Sequence, residues 1–170
     1  LGSPVLAGVD FDHYVASLRE EALAAGIPPA TVTAAFADVR LVEAAIKHDK
    51  NQPEFKLTLD TYIPRAVPEW KVKQAKALYR QHLPLLTKIG REYGVQPRFI
   101  VALWGIETNF GKITGHYPLI SSLATLAWEG RREAFFKGQL FNALRILAQG
   151  HVSPAAFQGS WAGAMGQVQF

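Results

Sequence analysis

Residues 97–111 read PRFIVALWGIETNFG. Pro97 suits the first turn of a helix, where a missing N–H has no intrahelical partner to lose. The seven residues from Ile100 to Ile106 carry no charge, and a helix with so little polar surface is expected to be buried around most of its circumference. Glu107 then stands at the end of that helix, and Thr108, Asn109 and Gly111 turn the chain away from it. Burial disfavours the ionised form of a carboxyl, and the negative end of the helix dipole acts in the same direction. The sequence therefore predicts an acid that keeps its proton near neutral pH and faces a cleft, as protonation of a glycosidic oxygen requires. From chemistry alone, a Glu held in a structural salt bridge is an equal alternative.

Outward from this stretch the reading is helical nearly throughout. Phe11, Tyr14, Val15, Leu18 and Ala22 fall on one helical face, with Asp10 or Asp12 as its cap and Gly26 as its close. Pro28-Pro29 open a short helix to about Phe36, and Val42 to Lys47 form another. His48 to Pro53 reads as a loop, and Phe55 to Ile63 fits helix or extended chain. Pro64 and Pro68 mark a break. A long helix follows from Glu69 to Tyr93, kinked or split by Pro84 and ended by Gly94. Leu119–Ala127 and Arg131–Ala148 read as helices. The small residues of GSWAGAMGQ demand tight packing. The pattern predicts an all-α chain, with an acidic helical lobe over residues 1–66 and a core over 67–170.

The 170 residues suffice for a core, and the 49% hydrophobic and 19% charged composition is that of a globular protein rather than a disordered one. No apolar run approaches the roughly 18 residues that a membrane span needs, and no signal peptide opens the chain; LGSP reads as a processed end or a cloning remnant. With no cysteine, a disulfide framework and cysteine-based zinc sites are excluded. Residues 1–60 hold five Lys/Arg against nine Asp/Glu, whereas 61–170 hold thirteen against five. A basic second half suits an anionic partner, whether nucleic acid, lipid surface or peptidoglycan. That half contains no Asp, and its carboxylates are Glu69, Glu92, Glu107, Glu129 and Glu133. All but Glu107 lie in charged surroundings and read as solvated or ion-paired. Most glycosidases flank the scissile bond with two carboxyls. A single acid needs help from the substrate, with an N-acetyl group as nucleophile and a sugar hydroxyl in place of water.

ALWGIETNFG, SLATLAWEGRREAFF and GSWAGAMGQVQF, preceded by NQPEF at 51–55, resemble the lytic murein transglycosylases of the MltB type from about residue 10 to the end. The resemblance implies a lysozyme-like helical catalytic domain after a small helical lobe. It also implies non-hydrolytic cleavage of the β-1,4 bond between N-acetylmuramic acid and N-acetylglucosamine. Glu107 takes the place of the family's glutamate, first acid and then base toward the muramic C6 hydroxyl, which closes a 1,6-anhydro ring. Ser160 and Gln169 are implied as sugar-contacting cleft residues, and Met165 as a neighbour of the cleft. Arg131 and Arg132 match an arginine pair near the substrate's peptide or carboxylate groups. Adjacent arginines at a helix start cannot face the same way, so one of them is expected to be solvated. Asn109 either orients Glu107 or caps the turn, and Tyr117 either stacks on a sugar or is structural. Phe135 and Phe136 are expected in the core.

The chain stops after QVQF where the family continues, so the C-terminal part of the fold is expected to be missing, with exposed apolar surface and self-association as consequences. Peptidoglycan glycan strands are the expected partner, in the periplasm, with any outer-membrane anchor outside this stretch. No nucleic-acid motif supports the basic half as a nucleic-acid site. The histidines (His13, His48, His82, His116 and His151) show no metal-ligand spacing, and neither metal nor other cofactor is expected. A hydrolytic muramidase on the same scaffold and a non-catalytic glycan-binding fragment stand as alternatives.

Overall fold

The computed structural model describes residues 10–51 and 58–169. Its helices are α1 (Phe11–Ala24), α2 (Pro29–Ala35), α3 (Glu43–Lys50), α4 (Leu59–Ala66), α5 (Glu69–Gln81), α6 (Leu83–Tyr93), α7 (Pro97–Thr108), α8 (Leu119–Trp128) and α9 (Glu133–Ala148). A two-residue antiparallel pair, β1 (Tyr117–Pro118) with β2 (Gln158–Gly159), is the one departure from all-helical structure among the described residues. Residues 10–51 and 115–164 cluster as one compact unit, and 58–114 with 165–169 as a second. Neither is a continuous run of sequence.

The first unit is built around α8. Every residue from Leu119 to Ala127 is buried. Ser121, Ser122, Ala124, Thr125 and Ala127 are small enough to let neighbouring backbones approach. Two hydroxyls serve those neighbours: Ser121 Oγ accepts from the Arg40 amide at 3.3 Å, and Thr125 Oγ1 from the Val42 amide at 3.0 Å. Against α8 packs α9, through Phe136, Leu140, Ala143, Leu144 and Leu147. Helix α1 buries Phe11, Tyr14, Leu18 and Ala22, the face its periodicity predicts. Each fully buried Leu or Phe in this set contributes roughly 1.5–3 kcal/mol. Asp10 occupies the N-cap of α1 without a side-chain cap bond, while Gly26, at φ 81°, closes the helix. The Tyr14 hydroxyl donates to Glu133 Oε1 at 2.9 Å. Burial, and then Glu133, push that phenol far up from its ordinary value of 10.0.

The second unit has a smaller core of Leu86, Val101 and Phe110, flanked by Ala75, Leu78, Tyr79, Ile100 and Trp104. The long helix anticipated over 69–93 is split into α5 and α6 at His82, with Pro84 in the first turn of α6, where it forfeits no hydrogen bond. Gly94, at φ 67°, ends α6. The break placed at Pro64 is corrected: Pro64 lies inside α4, and the helices are separated at Val67 and Pro68. Residues 55–57 of the ambiguous stretch, with most of NQPEF, lie outside the described residues.

The expectation of an α7 buried on most sides is also corrected. Val101, Gly105 and Thr108 form a narrow buried stripe, whereas Phe99, Leu103 and Ile106 are about half exposed. Apolar composition marks what a helix could bury; only the packed neighbours α5 and α6 decide what it does bury. Beyond Thr108, Asn109 and Phe110 both adopt positive φ, 51° and 59°, a conformation costly for an aromatic residue. The reward is the position of the Phe110 ring. A Cβ on Gly105 would lie 2.7 Å from Phe110 Cε1 and Cζ, so glycine leaves the space that the ring fills.

Two outcomes are expected. Gly105→Ala should lower stability in denaturant unfolding by about 1–3 kcal/mol, as overpacking does. For Tyr14, the folded state holds the phenolic proton more tightly than the unfolded state. Its contribution is therefore complete below pH 10 and is lost as pH rises above that value. Melting curves across the alkaline range should show wild type losing stability faster than Tyr14→Phe.

Candidate active site

Glu107 is the penultimate residue of α7, and its carboxyl is exposed. It takes no hydrogen bond or salt bridge among the described residues. The desolvated setting expected from the apolar run is thus absent, and so is the structural salt bridge of the alternative reading. The neighbouring residue is the opposite case. Thr108 is 1% exposed, its hydroxyl donates to the Gln167 carbonyl at 2.7 Å, and it accepts from the Gly111 amide at 3.0 Å. Trp104 Nε1 donates to Gln167 Oε1 at 2.6 Å, while its ring meets Phe110 edge-on at 5.7 Å. Gln167 therefore bridges two residues of α7 one turn apart, and the segment 165–169 is tied to the end of the helix that carries Glu107.

Gln169 reinforces this tie. Its amide donates to the carbonyls of Thr114, at 3.2 Å, and Gly166, at 2.9 Å, and its own backbone is left-handed at φ 55°. Both amide protons serve the backbone, which leaves the side-chain oxygen for any other partner. Asn109 is the left-handed C-cap of α7; it forms no bond to Glu107, and its Oδ1 is buried without a partner. Met165 is half-buried in the same unit. Thr108, Trp104 and Gln167 were not singled out from sequence. The signal available was their place inside the two motifs, ALWGIETNFG and GSWAGAMGQVQF.

The first unit carries the remaining anticipated residues. Ser160 Oγ accepts from the amides of Ala162, at 3.3 Å, and Ala164, at 3.1 Å, and the Ser160 amide donates to the Ala164 carbonyl at 2.7 Å. This closes the loop WAGA, whose Gly163, at φ 90°, lies so close to Leu123 that a Cβ would come within 2.5 Å of it. Tyr117 sits in a row of rings: His116 stacks on it at 4.8 Å, His48 meets it edge-on at 6.2 Å, and His48 in turn stacks on Trp161 at 6.2 Å.

Arg131 and Arg132 do face the same way, contrary to expectation. Both guanidinium groups reach the carboxylate of Asp49, Arg131 at Oδ2 and Arg132 at Oδ1. Helical spacing does not separate them because α9 begins only at Glu133, and Arg132 is its N-cap with φ −134° and ψ 41°. The bond to Asp49 pushes the Arg131 guanidinium up from its ordinary value. Arg132 also lies over the ring of Phe136 at 4.7 Å. Phe136 is core at 2% exposure, but Phe135 is 54% exposed, so the pair expected in the core divides.

The other glutamates of the basic half behave as charged surface groups. Glu69 pairs with Lys73 at 2.9 Å, Glu129 with Lys50 at 3.0 Å and Glu133 with Lys137 at 3.5 Å. Glu92 is exposed beside a shallow groove formed with Leu83, Pro84, Thr87, Lys88 and Arg91. Among the described residues no group of three or more His, Cys, Asp or Glu could hold a metal ion, and no helix is long and apolar enough to cross a membrane.

Comparison with known proteins gives this arrangement a context. Residues 10–170 match the family described as Transglycosylase SLT domain. Over 100 residues the chain is 34% identical to the membrane-bound lytic murein transglycosylase B of Escherichia coli (strain K12), covering 58% of this chain and 28% of that protein. The structure resembles that of SltB3 from Pseudomonas aeruginosa in complex with NAG-NAM-pentapeptide, with a TM-score of 0.89 and 42% identity over 96% of this chain and 44% of that one. Soluble lytic transglycosylase SltB1 from Pseudomonas aeruginosa gives 0.80 and 27% over 92% and 53%. The chain thus spans about half the length of these solved relatives and just over a quarter of the Escherichia coli protein. The fold is all-α and lysozyme-like, as that of these relatives is. A match over nearly its whole length, with the motifs around Glu107 and Gln167 joined in space, identifies the chain as a member of the Transglycosylase SLT domain family.

Proposed function

We propose that this chain carries the chemistry of a peptidoglycan lytic transglycosylase, acting in the periplasm on the β-1,4 bond between N-acetylmuramic acid and N-acetylglucosamine. The observation that carries the reading is the condition of Glu107, an exposed carboxyl that among the described residues makes no hydrogen bond or salt bridge, at a helix end tied down through Thr108 and Trp104. Its proton would pass to the bridging oxygen as the bond to the muramic C1 breaks. The N-acetyl oxygen of the same sugar would hold C1 from the opposite side. The C6 hydroxyl would then attack C1, its proton returning to Glu107 as the 1,6-anhydro ring closes. No water is consumed, and one carboxyl serves as acid and then as base.

The other residues support this reading from their own units. Gln167, through Thr108 and Trp104, fixes the helix end that presents Glu107. Gln169 keeps an acceptor oxygen, and Ser160, which accepts two backbone bonds, keeps its own proton to donate; both suit sugar hydroxyls. Asn109 shapes the turn after the acid, and Met165 offers a soft apolar edge. Tyr117, within its row of rings, suits stacking on a sugar face. The guanidinium pair of Arg131 and Arg132 suits the carboxylates of a muramyl peptide, and SltB3 was solved with such a ligand. A hydrolytic muramidase would use the same acid but release a reducing end heavier by one water.

In the whole protein, Glu107→Gln should lower the rate of muropeptide release from purified peptidoglycan by about 10²–10⁴-fold, the usual worth of a positioned acid–base group. Its melting temperature should match wild type, since Glu107 is exposed and makes no hydrogen bond or salt bridge among the described residues. Release at the wild-type rate would sink the catalytic assignment and leave a glycan-binding module in its place.

A further inference from the structure

We infer that Asp49 is a positioning residue that assembles Arg131 and Arg132 into one receptor for the carboxylates of a peptide-bearing glycan; this rests on the transglycosylase reading above. Asp49 is the only charged residue that is buried among those described. Its carboxylate is 3% exposed, and each oxygen is taken by a different arginine, 82 and 83 positions away in sequence. Its backbone carbonyl accepts a third bond, from Arg131 Nη2 at 3.1 Å.

A buried ion pair is weak evidence for stabilisation, because desolvation offsets the attraction. What this arrangement does achieve is orientation. The bonds to Asp49 engage Nη2 of each guanidinium, whereas a guanidinium has five N–H donors in a fixed fork. The arginine side chains remain 50% and 42% exposed, so donors of both forks are left for an outside partner. Arg132 is further held by the faces of Phe136, at 4.7 Å, and Phe135, at 5.7 Å. Two positive charges against one negative leave a net positive charge at the cluster. Neighbouring Lys50 does not add to it, being paired with Glu129 at 3.0 Å. A half-exposed double fork with one uncompensated charge has the chemistry of a carboxylate receptor. Without Asp49 the two side chains would repel each other and lose their common aim.

The test compares binding of NAG-NAM-pentapeptide with that of NAG-NAM lacking the peptide, by calorimetry. Wild type should prefer the peptide-bearing ligand, and Asp49→Asn should cut that preference by about tenfold, the worth of a charge-assisted hydrogen bond. Asp49→Glu, which keeps the charge but displaces the arginines by one methylene, should raise KM for peptide-bearing strands and keep kcat. Equal affinity of wild type for the two ligands would overturn the inference. So would a variant that keeps the wild-type preference, or one that loses both ligands by the same factor. A wild-type protein that cuts no glycan would instead refute the transglycosylase reading, whatever the variants bind.

Discussion

The contact between the Phe110 ring and the bare backbone of Gly105 sets the geometry on which the proposed chemistry depends. It forces two consecutive left-handed residues directly after α7, and that turn brings Gly111 back to the Thr108 hydroxyl. The hydroxyl is then oriented to donate to Gln167, whose side chain reaches back to Trp104. A single steric allowance, the absence of one Cβ, is thus amplified through a hydroxyl and an amide into a rigid helix end. The backbone strain at Asn109 and Phe110 is offset by burying Phe110 in the core with Leu86 and Val101. In such a frame the Glu107 carboxyl can stay exposed, because its neighbours in the chain hold the helix end in place.

The first unit uses a different device. Helix α8 is buried from Leu119 to Ala127, and its small residues let neighbouring backbones approach. Ser121 and Thr125 capture the backbone that leads into α3, and α3 delivers Asp49 to the two arginines before α9. Apolar packing places the elements here, and charge-assisted hydrogen bonds set the direction of the groups that meet solvent. Ser160 shows the same economy, since its loop is closed by the oxygen while the hydroxyl proton stays available.

Most helices were legible because proline and glycine punctuate them. Gly94 and Pro97 bound α6 and α7, and Pro84 divides a long helical pattern where the structure divides it. The errors have physical causes. Proline chemistry suggests a break at Pro64, but α4 tolerates it near its end and continues to Ala66. The apolar run of α7 suggests burial, although hydrophobicity states what a helix could bury and not how many neighbours cover it. Helical spacing would separate Arg131 from Arg132, but it does not apply to residues that precede the helix. Asp49 and Gln167 are not legible in the sequence because their contacts lie about sixty to eighty residues away, which no local pattern encodes. Glu107 is conspicuous in the sequence by its place at the end of an apolar run, and the structure leaves its carboxyl exposed, with no hydrogen bond or salt bridge among the described residues.

The central claim is that one carboxyl closes a sugar ring instead of activating water. Digestion of peptidoglycan by the whole protein in water enriched in heavy oxygen, followed by mass spectrometry of the new chain ends, tests it directly. The account predicts anhydro ends without incorporated label. Reducing ends that carry the heavy oxygen would contradict it.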